Sequence, residues 1–396
     1  MLSLRAGHAR QRTLALCYRS YKAPIVAPGP PPGGSSVPPL PLWRKFFPST
    51  PKAFQNRVSV MNPNTAAMLA DAFVPAGSRD KVIIEIFPGP GQLTRALLNL
   101  PRERLNKLIV VESADLYLNY LKPLEAVDSR LTVIPMSGES WDSYQRINDM
   151  RLLDDVRTIP WDQGVHPQLH FVSHLASNVP GEQFISQLFR SMPDKQWLFK
   201  YGRVPMSILL SEYIWKRVLG DDIGIRCKLS MIAAAVASCS EAVPHSALQP
   251  YADHFHPTPS AAVQAQRAKE KREAKRLTGG KPGNPFVAIN IVPLESRVIR
   301  PGLLDKWDYC LRRLYVRRAT PLHAALPYLA PNAQTLLKKI SVPGLPTNAY
   351  VPPDRPIREM DVADWALLVK AFDEWPFAPE DLSIGDTIGN DEERHG

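Results

Sequence analysis

Three short apolar runs, "KVIIEIF" (81–87), "KLIVVES" (107–113) and "RLTVIPM" (130–136), alternate with stretches of helical character from Met61 onward. Apolar runs of this length read as strands buried on both faces, and parallel strands need a helical crossover between them. "NPNTAAMLADAF" suits a helix starting at Pro63 or Asn64, with Leu69, Ala72 and Phe73 inward, and further helices fit 92–99 and 116–124. The alternation continues with "LHFVSHLA" as a fourth strand, 184–192 as a helix, "QWLFKYG" as a fifth strand and 207–219 as a helix. "KLSMIAAAVASCSEAV" and "PFVAINIVPL" read as two more strands, separated by an insertion. The pattern predicts an α/β fold, a doubly wound parallel sheet, with a helical part beginning at Leu303.

The first strand ends in Phe87-Pro88-Gly89-Pro90-Gly91 and passes into a helix, which aims free backbone N–H groups into the crevice above the sheet. Glu112 lies 21 residues after Gly91, at the tip of the next strand, where a carboxylate can accept from both hydroxyls of a ribose. The turn lacks the third glycine of a dinucleotide fingerprint. A ligand with a ribose and an amino-acid end, such as S-adenosylmethionine, fits better than a pyrophosphate, and a turn that serves only packing stays open as the alternative.

The chain of 396 residues carries a net charge of +10, which points to a polyanionic partner or a targeting segment. Nine basic residues precede the first acid, Asp71, and "MLSLRAGHARQRTLALCYRSYKA" has the composition of a mitochondrial transit peptide; a basic tail touching nucleic acid is the other reading. Eight prolines between Pro24 and Pro41 mark a linker. No apolar run is long enough to span a bilayer, so no membrane partner is expected. The four cysteines lack metal-ligand spacing, and no metal is expected. The insertion at 254–285 holds "RAKEKREAKRL", either a solvated helical face or a nucleic-acid contact through Arg267, Lys271 and Arg272. The end of the chain, "FDEWPFAPEDLSIGDTIGNDEE", is acidic and reads as mobile, although Trp365, Trp375 and Phe377 argue for docking.

"VIIEIFPGPGQLT", "LIVVES", "HLASNVPGEQFISQLF", "KLSMIAAAVASCSEAVPHSAL", "NPFVAINIVPL" and "LRRLYVRRATPLHAAL" follow one another in the order of the rRNA adenine dimethyltransferase family. The resemblance spans about 59–337 and, with the basic start and acidic end, is greatest to the mitochondrial transcription factor B branch, the fungal promoter-recognition factors in particular. It implies a Rossmann-like S-adenosylmethionine-dependent methyltransferase domain over 54–300, a small helical C-terminal domain over 301–345 and an extension over 346–396. Residues 1–22 and 23–53 would be the transit peptide and the linker.

Carried over residue by residue, the resemblance implies cofactor contacts at Ser59, Met61, Phe87, Gly89, Gly91, Glu112, Ser137 and Asn178, and catalytic roles for Asn178 and Pro180. Phe87 stands where the family has glycine, so its ring should narrow the pocket. Ser137 replaces an aspartate, with Glu139 and Asp142 nearby as substitutes. Gly181 replaces the aromatic residue that stacks on the flipped target base, with Phe184 three positions on. The methyl-transfer chemistry is therefore expected to be impaired or lost. A basic cleft can still hold single-stranded nucleic acid through charge and stacking, with Arg312, Arg313, Tyr315, Arg317 and Arg318 as contacts or as a solvated helix face. The resemblance implies a matrix protein that partners a single-subunit mitochondrial RNA polymerase at promoter DNA, with an rRNA dimethyltransferase or an assembly factor on small-subunit rRNA as alternatives. The acidic tail would reach toward the polymerase or the template.

Overall fold

The computed structural model describes residues 36–49, 57–259, 284–344 and 346–382. The transit-like start, residues 260–283 of the basic insertion with Arg267, Lys271 and Arg272, and the tail from 383 lie outside the described residues. Ahead of the sheet come a single turn α1 (Trp43–Phe46), a short strand β1 (Ser59–Val60) and α2 (Pro63–Phe73). α2 starts where expected because Asn62 caps it, its side chain accepting from the N–H groups of Asn64 and Thr65, and Pro63 fits the first helical position.

The sheet begins β2 (Lys81–Ile86), α3 (Gln92–Leu98), β3 (Leu105–Val111), α4 (Asp115–Leu121), β4 (Leu131–Ile134), α5 (Trp141–Asp149), β5 (Leu169–His174) and α6 (Val179–Arg190). The chain continues through β6 (Met206–Ser211), α7 (Glu212–Leu219), α8 (Lys228–Val236), β7 (Ala237–Glu241), β8 (Phe255–His256) and β9 (Phe286–Pro293), of which β6, β7 and β9 complete the sheet. Its order is β4-β3-β2-β5-β6-β9-β7, with β9 antiparallel to both neighbours, while β8 pairs with β1 apart from it. The order reverses between β2 and β5, so a crevice opens at their C-terminal ends, as in other Rossmann-like methyltransferase folds.

Three expected elements differ. "QWLFKYG" forms a 3-10 turn, Trp197–Tyr201, because Trp197 takes a positive φ of 57° and inserts its ring between Tyr144 and Phe171, 5.1 and 4.9 Å away. The fifth strand instead comes from the first half of the expected helix at 207–219, where every residue of Met206–Ser211 is buried. The helix begins only when the Ser211 hydroxyl caps the N–H of Ile214. The alanine-rich half of "KLSMIAAAVASCSEAV" is a helix, and only its second half is a strand.

The two-residue period of β2 divides the core. Val82, Ile84 and Ile86 face α5 to α8, whereas Ile83 packs with α2, α3, α4, Trp43 and Phe47 on the other side. The first of these cores runs on without a break into the helical part, built on α9 (Leu304–Tyr315) and α10 (Val362–Asp373). α10 lies inside the expected C-terminal extension, yet Trp365, Leu368 and Phe372 are buried against α9, with Phe372 stacked on Tyr309 at 5.6 Å. Trp375 is buried too, and Phe377 is exposed. Among the described residues no helix is long and apolar enough to cross a membrane, and no group of metal-binding side chains occurs.

Candidate cofactor crevice and interdomain cleft

The glycine-rich turn sits at the end of β2, directly beneath the crevice. Phe87, Gly89 and Gly91 all have positive φ, at 57°, 64° and 85°. A bulky residue in this region is strained by about 1–2 kcal/mol, so Phe87 holds a backbone conformation that suits glycine. A Cβ at Gly89 would lie 2.0 Å from the Ser59 hydroxyl, which shows how tightly β1 presses on the loop. Arg95 pins the turn from below, donating to the carbonyls of Pro90 at 2.8 Å, Gly91 at 2.9 Å and Tyr120 at 2.9 Å. Burial depresses its guanidinium to about 10 against the opposing pull of Glu85. Glu85 is itself buried and accepts from the Thr94 hydroxyl at 2.7 Å.

Glu112, fully buried just past β3, is already engaged. One carboxylate oxygen accepts from the N–H groups of Ser113 and Ala114, both at 2.9 Å, and from Arg57 Nη1 at 2.8 Å. The other accepts from Arg57 Nη2 at 2.6 Å. The guanidinium lies 5.4 Å from the centre of the Phe87 ring and 5.1 Å from that of Tyr117. Burial works against the charge of Arg57, but Glu112, with Tyr117 and Glu139, outweighs it and holds the guanidinium above its ordinary value. Burial pushes the Tyr117 phenol up to about 12.

The group that a fold of this kind implies is S-adenosylmethionine, and the residues present do not fit it. A ribose at Glu112 would meet a carboxylate that accepts four hydrogen bonds, two of them from an arginine fork. The Phe87 ring lies 5.4 Å from the guanidinium that occupies this carboxylate. Met61 is buried beside this region, after β1. Ser137 follows β4, its hydroxyl accepting from the N–H of Glu139 at 3.3 Å. Glu139 lies within electrostatic reach of Arg57. Asp142 is exposed on the first turn of α5, bonded to the cap residue Ser140.

Asn178 caps α6, its side-chain oxygen accepting from the N–H of Gly181 at 3.0 Å, and Pro180 follows as an exposed first-turn residue. α6 begins five residues before the expected start, so Gly181 is already helical. A Cβ at Gly181 would meet the Ala176 carbonyl oxygen at 2.1 Å, which leaves no room for an aromatic side chain. Phe184 turns inward and packs edge-on to Phe87 at 6.1 Å.

A cleft of about 580 Å³ opens between α6, α7 and α8 on one side and α9 on the other. Four basic side chains line it, Arg190, Arg217, Lys228 and Arg312, against three acids. Arg217 bonds Glu182 at 2.6 Å, while buried Asp308 on α9 pairs with Arg190 and, at 3.0 Å, with Lys228. Burial, then Arg190 and Arg312, depress the Lys228 ammonium to about 8 even with Asp308 so close. A second hollow of about 220 Å³ shares Arg190 with the cleft and adds Trp141, which is 58% exposed.

Of the described arginines expected at a nucleic-acid surface, only Arg312 lines this cleft. Arg313 lies over Tyr309 at 5.4 Å, Arg317 over Tyr328 at 4.5 Å, and Arg318 donates to the Gly224 carbonyl at 2.6 Å. Tyr315 stacks on Trp365 at 5.6 Å inside the helical part. Sequence reading missed Arg57, Arg190, Arg217, Lys228 and Trp141. No motif marks them, because the grouping of the last four depends on how α5 to α9 pack and that of Arg57 on its approach to Glu112 ahead of β1.

A family description, ribosomal RNA adenine dimethylase, matches residues 60–364. Mitochondrial transcription factor 1 of Lachancea kluyveri is 22% identical over 315 residues, covering 75% of this chain and 82% of the relative. The mitochondrial dimethyladenosine transferase 1 of Caenorhabditis elegans is 28% identical over 210 residues, covering 51% of this chain and 54% of the relative. Among solved structures, the 23S rRNA methyltransferase ErmE aligns at a TM-score of 0.47 with 12% identity, over 80% of this chain and all of that one. The family match extends from the first short strand, across the glycine-rich turn and the α6 cap, to the last long helix, and the chain belongs to the ribosomal RNA adenine dimethylase family.

Proposed function

We propose that this protein is a mitochondrial matrix factor that binds nucleic acid in the interdomain cleft and gives promoter recognition and opening to a single-subunit mitochondrial RNA polymerase. The observation that carries the reading is the cleft itself, where Arg190, Arg217, Lys228 and Arg312 converge beside an exposed tryptophan. Basic side chains track a phosphate backbone without regard to sequence, and Trp141 offers a face on which an unpaired base can stack. The similarity to fungal mitochondrial transcription factors supports this choice over a purely ribosomal one.

Run-off transcription by the cognate polymerase, with and without the protein, tests it. Full-length product should appear only with the protein, and a 2-aminopurine at the start site should brighten on its addition. Trp141→Ala should weaken single-strand binding by about 1–3 kcal/mol, the contribution of one stacked base. Unchanged transcription would refute the reading.

The second reading is an S-adenosylmethionine-dependent dimethyltransferase acting on adenines of the small-subunit rRNA, favoured by the retention of Glu112 and Asn178. Transfer of radiolabelled methyl groups to an adenine-containing hairpin would establish it.

A further inference from the structure

Arg57 is not a surface side chain that has swung into a vacant crevice. Its side chain is only 15% exposed, its two terminal nitrogens face the two oxygens of Glu112, and aromatic rings flank it. The backbone that carries it is fixed as well. β1 pairs with β8 through Ser59 and Val60, and the Met61 N–H donates to the His254 carbonyl at 2.9 Å. Earlier in the chain, Trp43 and Phe47 are buried, and the carbonyl of Phe47 bonds His256 Nε2 at 2.7 Å.

We propose that Arg57 is a ligand supplied by the chain itself, which closes the nucleoside crevice and makes the fold independent of an adenosine cofactor. Its fork takes the two carboxylate oxygens that a ribose diol would use, and the Phe87 ring lies 5.4 Å from its guanidinium. Glu112 is retained here as the counter-ion of a buried arginine, because a carboxylate at this depth needs a partner whether or not a ribose is present. This rests on the crevice alone, so it stands or falls separately from the role of the interdomain cleft.

The test is titration of the full chain with S-adenosylhomocysteine, which carries the same adenosine and lacks the reactive methyl group, read by calorimetry and by thermal shift. The unmodified protein should give no saturable heat and no shift at 1 mM ligand, about a thousandfold above a micromolar Kd. Arg57→Ala/Phe87→Gly, checked as folded by circular dichroism, should bind at least tenfold more tightly than the unmodified chain and melt at a higher temperature with ligand. Micromolar binding by the unmodified chain would overturn the proposal, and so would a folded double variant that gains nothing. Should that variant fail to fold, nitrogen NMR of the unmodified chain decides. Four resolved, slowly exchanging Nη protons of Arg57 that collapse in Glu112→Gln support the closure, and a freely rotating guanidinium contradicts it.

Discussion

At the scale of single residues, Lys228 gives the cleft a pH dependence. Its folded value of about 8 lies below the ordinary 10.5, so it is charged at pH 7 and largely neutral at pH 9. Binding of single-stranded DNA at fixed salt should weaken across that range as one phosphate partner is lost, while Lys228→Arg should stay nearly flat. Stability has the opposite sign. The fold disfavours the charged lysine, so this cost is full below pH 8 and is relieved as the pH rises toward 10.5. Arg312→Glu should lower the slope of log affinity against log salt by about 0.7, the contribution of one contact to a single strand. Arg313→Glu should change it less, because that side chain lies over Tyr309. Equal effects of the two would place the strand elsewhere. None of this was legible in "LRRLYVRR", since helix periodicity shows which arginines avoid the core and not what lies opposite them.

At the scale of elements, α6 decides what the corner at Asn178 and Gly181 can hold. The Asn178 side chain is spent on capping the helix, and the Ala176 carbonyl occupies the space beside Gly181. Gly181→Tyr should therefore not recreate a stacking platform. It should destabilise the protein by about 1–3 kcal/mol through overpacking, measured by urea denaturation, and a stable, unchanged variant would show that the corner is open. The strands and turn around this corner were readable because β2, β3 and β5 each carry a core of buried apolar residues and the Pro/Gly run is unmistakable. The errors fell where composition misleads. Met206–Ser211 and Lys228–Val236 are both apolar runs, and only pairing with β9 or packing under α9 separates strand from helix. Trp197 looked like a strand residue because a tryptophan that inserts between two rings has the same composition as one on a ladder.

At the scale of the whole molecule, the helical part and the sheet share one apolar core that passes through α8, Trp307 and Trp365. They should unfold together, with tryptophan fluorescence and far-ultraviolet circular dichroism following a single transition, and Trp307→Ala should lower stability by about 3–5 kcal/mol by either probe. Two resolved transitions would mean that the shared core does not couple them. The cleft walls thus have limited freedom to separate, and the ion pairs of Asp308 with Arg190 and Lys228 join them further.

The anchoring of Trp43, whose indole N–H donates to the Pro38 carbonyl at 2.8 Å, bears on maturation of the chain. A front end trimmed before Pro38 would leave the indole its acceptor and one trimmed beyond it would not, whereas β1 would still hold the backbone beside Arg57 through its pairing with β8.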